Sequence, residues 1–296
     1  MSESENLAIV QRLMASGADI HADEEAALRY ASENGHLSVV EFLVASGADI
    51  HANNEKALRS ASENGHLPIV EFLVARGADI NADNEQDQAR GADKEVTLCL
   101  AAQNGHLSVV QFLVGRGADI HADNDYALRS AAYQGHLPLV QFLVARGADI
   151  HADDDFAPLR VAAWRGHLPV VEFLVASGAD NDWALSWASE NGHLSILEIL
   201  VASGADIHAN NDWALRLAAL NGHLPVVQFL VASGADIHAD NEGALRSAAA
   251  QGHLPIVEFL VASGADIHSD NDWALRMAAK RGHLPVLEFL KAHAQR

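Results

Sequence analysis

Residues 207–236 read IHANNDWALRLAALNGHLPVVQFLVASGAD, and variants of this stretch recur along the 296-residue chain. The tripeptide Gly-His-Leu marks each copy, with its glycine at Gly35, Gly65, Gly105, Gly135, Gly166, Gly192, Gly222, Gly252 and Gly282. Successive spacings are 30, 40, 30, 31, 26, 30, 30 and 30. A fixed period of this length is the signature of a stacked array, which grows by adding units and does not need to split into domains.

Each unit reads as two short helices. Asn211 or Asp212 is placed to cap the first by accepting backbone N–H bonds. Ala214, Leu215, Ala218 and Ala219 give that helix an apolar face, and Gly222 ends it as a left-handed residue. Pro225 sits in the first turn of the second helix, where its missing N–H costs nothing. Val226, Val227, Phe229, Leu230 and Val231 make the second helix apolar on most sides, and Gly234 closes it. The nearly invariant Phe is expected in the core, facing the preceding unit, with the Val facing the following one. No unit could bury this surface alone.

The run Gly-His-Leu-Pro-Val-Val-x-Phe-Leu-Val-x-x-Gly-Ala-Asp resembles the second helix and exit of the ankyrin repeat, and it does so nine times. The resemblance implies an all-α solenoid of stacked helix–turn–helix units. Two features depart from the family. The period is mostly 30 where the family uses 33, and Trp213-Ala214-Leu215-Arg216 replaces Thr-Pro-Leu-His. The missing residues fall between units, so the family's β-hairpin finger is expected to be short or vestigial. The shortened form is similar to that of large ankyrin arrays in giant DNA viruses and some early-branching fungi.

The resulting expectation is a single solenoid over 1–296. Residues 1–19 form an N-terminal half-repeat cap and 20–296 form nine repeats, the last one capping. A polar insertion at about 80–91 is expected as a solvent-exposed loop. Arg12 and Lys291 stand where other units have Phe and Val, which suits terminal faces that meet water, and on that reading a complete array is expected. Pro158 adds one residue and restores a proline at the start of a first helix.

Composition narrows the function. The 40 acidic and 19 basic side chains give a formal charge of −21. That balance argues against nucleic acid, which demands clustered Lys and Arg, and against an anionic membrane surface. A start without a basic region or apolar core does not read as a secretory leader. One cysteine, Cys99, excludes an internal disulfide framework, so an intracellular, cytoplasmic protein is expected. Cys99 itself reads as a small, part-buried residue without marks of activation.

Seventeen histidines invite a metal reading. Packed helices lie roughly 8–10 Å apart, whereas shared ligands must all lie about 2 Å from one ion. Turn histidines bonded to nearby backbone are the better expectation. The acidic run Asp153-Asp154-Asp155 invites calcium, but a calcium loop counted from Asp123 would need Gly and Glu where Leu128 and Gln134 stand. Acids four residues before arginines (Asp212 and Arg216, Asp272 and Arg276, Asp125 and Arg129, Glu25 and Arg29, Glu55 and Arg59, Glu242 and Arg246) are expected to pair along the helix, each pair worth about 0.2–0.5 kcal/mol. No nucleophile motif, phosphate loop or metalloprotease helix is present. No cofactor and no enzymatic activity are expected, because every Asp and His recurs in unit after unit, whereas a catalytic group would break the pattern once.

The informative positions are those that vary. The residue before Ala-Leu reads Ala26, Lys56, Val96, Tyr126, Phe156, Trp183, Trp213, Gly243 and Trp273, with Phe156 shifted by the extra proline. Near the end of the first helix the series runs Glu33, Glu63, Gln103, Tyr133, Trp164, Glu190, Leu220, Ala250 and Lys280. By resemblance these positions map onto the concave face with which ankyrin arrays grip partners. Trp183, Trp213, Trp273, Tyr126, Phe156, Tyr133 and Trp164 are the candidate partner-binding residues. Tyr30 and Trp187 are expected to turn inward and cover the neighbouring helix. The expected activity is non-catalytic scaffolding by a monomer that holds a protein with a basic surface. An acidic metal-ion-binding scaffold is the alternative.

Overall fold

Small alanines on the first helix and a Val-Val-x-x-Leu face on the second dictate close helix pairs. A computed structural model describes residues 3–82, 97–153, 156–181 and 183–294. The described residues form nineteen helices and no strand. They fall into two compact units, Met1–Asp153 and Asp154–Arg296. The first contains α1 (Glu3–Ala15), α2 (Ala22–Glu33), α3 (Leu37–Ala45), α4 (Ala52–Glu63), α5 (Leu67–Ala75), α6 (Thr97–Gln103), α7 (Leu107–Gly115), α8 (Ala122–Gln134) and α9 (Leu137–Ala145). The second contains α10 (Pro158–Arg165), α11 (Leu168–Ala176), α12 (Ala184–Glu190), α13 (Leu194–Ala202), α14 (Ala209–Asn221), α15 (Leu224–Ala232), α16 (Ala239–Gln251), α17 (Leu254–Ala262), α18 (Ser269–Arg281) and α19 (Leu284–His293). The polar insertion lies outside the described residues from 83 onward, as do Val96, Asp154 and Asp155.

First helices pack on first helices, as α14 does on α16 and α16 on α18, and each first helix packs on the second helix of its own repeat. Leu215, Ala218, Ala219, Val226, Val227 and Leu230 are all buried. Both helix ends follow one scheme. His223 N–H bonds the Ala218 carbonyl at 3.0 Å around Gly222 (φ 83°), and Ala235 N–H bonds the Leu230 carbonyl at 3.0 Å around Gly234 (φ 108°). These six-to-one bonds satisfy carbonyls that would otherwise be orphaned. Pro158 begins α10 as the sequence suggests.

The repeated Phe is not in the core. Leu43, Leu73, Leu113, Leu174 and Leu230 occupy it, while the preceding Phe stays half-buried. In α5, α7 and α9 an arginine at the helix end covers that ring, with Arg76, Arg116 and Arg146 at 4.6, 5.0 and 4.9 Å from the Phe72, Phe112 and Phe142 centroids. A ring at the edge of the core gains a cation over its face.

No hairpin joins the repeats among the described residues. Asp206 accepts the His208 N–H at 2.9 Å, and then Asn210, Asn211 and Asp212 take φ of 53°, 58° and 54°. Three left-handed residues in succession make one reversed turn before the helix proper. Such residues cost roughly 1–2 kcal/mol each, least for Asn and Asp. The same turn recurs at Asp23–Glu25, Asn53–Glu55, Asp123–Asp125, Asp240–Glu242 and Asp270–Asp272.

This turn overturns the expected cap and the expected acid–arginine pairs. The third residue of the turn does not serve the helix start. Its carboxylate accepts a hydrogen bond from the histidine four residues back, in His21–Glu25 and His51–Glu55 (both 2.5 Å), His121–Asp125 (3.1 Å), His208–Asp212 (3.2 Å), His238–Glu242 (2.6 Å) and His268–Asp272 (2.7 Å). In three repeats it also accepts a backbone N–H from the next one, in Asp49 to Glu25 (3.2 Å), Asp149 to Asp125 (3.0 Å) and Asp236 to Asp212 (2.9 Å). The arginine reaches forward instead. Arg129 pairs with Asp153 at 2.6 Å, Arg216 with Asp240, and Arg246 with Asp270 at 3.3 Å.

The Gly-His-Leu histidines likewise reach beyond their own repeat. Nε2–H of His66, His106, His223 and His253 donates to the carbonyls of Glu33, Glu63, Glu190 and Leu220 in the preceding repeat, at 2.9–3.0 Å. Each ring lies against the preceding Gly-His-Leu glycine. A Cβ at Gly222 would stand 2.8 Å from the His253 ring and its residue would have to adopt φ of 83°, so a larger residue there would displace the ring and strain the backbone.

Candidate functional site

The first helices carry the aromatic series. In the first unit, Tyr126 and Tyr133 are half-buried on α8, and the Arg129 guanidinium lies 5.3 Å from the Tyr126 ring centroid. In the second unit, Phe156, Trp183 and Trp213 remain 57%, 43% and 37% exposed, while Trp164 and Trp273 are half-buried. Large apolar side chains left in water on a molecule with a well-filled core are the informative exception to burial.

Two clusters form in the second unit. Phe156 and Trp164 meet Trp187, Arg160 and Val161 around an almost wholly apolar hollow of about 160 Å³. Trp164 and Trp187 stand edge to face at 5.9 Å, a favoured aromatic geometry. Trp187 is half-buried and covers Trp164 of the neighbouring first helix, and in doing so it forms one side of this hollow. Trp183 joins the cluster through Arg160, whose guanidinium lies 5.9 Å from the indole.

Trp213 and Trp273 both line the second cluster, a cavity of about 190 Å³ shared with Gly243 and Ser247. Arg216 stacks 4.5 Å from the Trp213 centroid and Arg246 lies 5.3 Å from that of Trp273. Both arginines reach Asp240, so their charges are met within the cavity wall. In the first unit Tyr30 departs from the inward expectation. It is 67% exposed, and it borders a hollow against α1 with Ile9 and Val10.

Chemically reactive arrangements are not assembled by these residues. Cys99 is buried, and burial pushes its thiol pKa up to about 12, the reverse of activation. Among the described residues no group of three or more His, Cys, Asp or Glu is placed to hold a metal ion. None of the described helices is long and apolar enough to cross a membrane. The arrangement offers shape, aromatic area and hydrogen-bonding rims.

The sequence profile of a family described as ankyrin repeats (3 copies) matches residues 1–84, 98–184, 185–271 and 215–296. A search of curated proteins finds no match to the chain. Repeated helix pairs, glycine-terminated helix ends and a matching profile along nearly the whole length agree, and the chain belongs to the ankyrin-repeat family.

Proposed function

We propose that this chain is a non-catalytic scaffold that holds a partner protein on the face carrying its turns and first helices. Ankyrin repeats generally serve as protein–protein interaction modules. The observation that carries the reading here is the exposure of Trp183, Trp213 and Phe156 beside a core of buried leucine, valine and alanine. Aromatic anchors bury much area at small entropy cost, and they dominate binding energy where they cluster. The net charge of −21 favours a partner with a basic surface.

The test is affinity capture with the wild-type chain and with a Trp183→Ala, Trp213→Ala, Trp273→Ala variant whose melting curve matches wild type. A partner protein retained by wild type and lost by the variant is the expected result, because truncating central aromatic anchors costs roughly 2 kcal/mol or more each. Equal retention by both chains would remove these residues from the interface.

A further inference from the structure

The residue before Ala-Leu breaks its aromatic run once in the second unit. Trp213 and Trp273 flank Gly243, where neighbouring repeats carry an indole. The space so vacated is only partly refilled, by the Arg216 side chain. Arg216 crosses Gly243, with its Cδ only 2.5 Å from where a Cβ would sit, and ends on Asp240. Beside it a notch of about 190 Å³ stays open, lined by the two indoles, Leu217, Leu220 and the two arginines. A cavity of about 150 Å³ suffices for a benzene ring, so the notch has room for one bulky side chain.

Its chemistry selects among side chains. Arg216 and Arg246 are ion-paired through their terminal nitrogens with Asp240 and Asp270, while the Nε of each is buried without a hydrogen-bond partner, so the charge is met and a polar rim remains. The indoles and two leucines favour apolar contact. Outside the notch the balance is acidic. Residues 154–296 hold 17 acidic and 9 basic side chains, and next to Trp273 the Asp272 side chain, bonded to His268, remains 52% exposed.

We propose that the Gly243 notch receives a single aromatic or branched aliphatic side chain from a peptide segment whose flanking residues are lysine or arginine. The proposal rests on the protein-binding reading above and specifies the chemistry of the segment. Gly243 sets the specificity. A side chain there would press Arg216 aside and narrow the notch.

The probes are four peptides, acetyl-Gly-Lys-X-Lys-Gly-amide with X as Phe, Leu or Ala, and a fourth with X as Phe and both lysines replaced by glutamate. The readout is the indole N–H signals of Trp213 and Trp273 in 1H–15N spectra of the full chain. The Phe and Leu peptides should shift both signals saturably, and the Ala and glutamate peptides should bind at least about tenfold more weakly. Gly243→Tyr, which must push Arg216 aside, should abolish the shift at Trp213 while the Trp183 signal stays unchanged. If that variant fails to fold, Trp273→Ala removes one wall and should weaken the Phe peptide by the same measure. Shifts that are absent for every peptide, that persist in the filled or opened notch, or that do not depend on X overturn the proposal. A partner lost by the triple tryptophan variant but kept by Gly243→Tyr would leave the protein-binding reading standing and the notch excluded.

Discussion

His21, His51 and His238 carry the residue-scale consequence of the reversed turn. Their rings hold a proton above the ordinary value of 6.5, chiefly through the hydrogen bond to Glu25, Glu55 and Glu242, with partial desolvation opposing it. A group whose pKa is raised on folding adds stability that is complete below the unfolded value and is lost as pH climbs through the folded one. NMR titration should therefore give these rings midpoints above 6.5, and Glu242→Gln should return His238 toward 6.5 while leaving His51 unmoved. His238→Ala should lower the melting temperature more at about pH 6 than at about pH 8.5. An equal loss at both would show that the ring acts by packing alone.

At the scale of the element, the turn makes a demand on backbone chirality that can be read by substitution. Asn211 has φ 58° and ψ 57° inside the left-handed run. Asn211→Gly should be neutral or mildly stabilising, whereas Asn211→Val should cost roughly 1–2 kcal/mol in chemical unfolding. Near-identical stabilities would mean that the turn is not formed in solution. This element also marks where legibility stopped. Gly222, Pro225 and Leu230 announced helix ends, starts and core from local chemistry, and the helix pair followed. The roles of Asp212, Arg216 and His223 did not, because their partners lie 24 and 33 residues away, at Asp236, Asp240 and Glu190. A four-residue interval such as Asp212 to Arg216 looks like a helical pair only if both residues are helical. Asp212 is not, and three left-handed residues in succession are too rare to expect from Asn-Asn-Asp. The aromatic series was legible as positions that vary, but the hollow beside Trp187 and the notch at Gly243 depend on which neighbours meet, which spacing alone does not give.

For the whole molecule, charge and repetition act together. With 40 acidic side chains against 19 basic ones, the chain should attract a basic partner over distances beyond contact. Its association rate with a captured basic partner should fall at least about tenfold between about 20 and 300 mM salt, with a smaller change in dissociation rate. A rate indifferent to salt would confine recognition to the aromatic contacts. Repetition has a different consequence, visible in the way His66 rests in the space left by Gly35, His223 in that left by Gly192, and His253 in that left by Gly222. Every copy carries both the socket and the plug, the socket facing onward and the plug facing back. A gene segment of one period, cut at any point and duplicated in frame, brings a matched joint with it. The array can lengthen by copying alone, and its new surface is free to diverge while the joint is inherited intact.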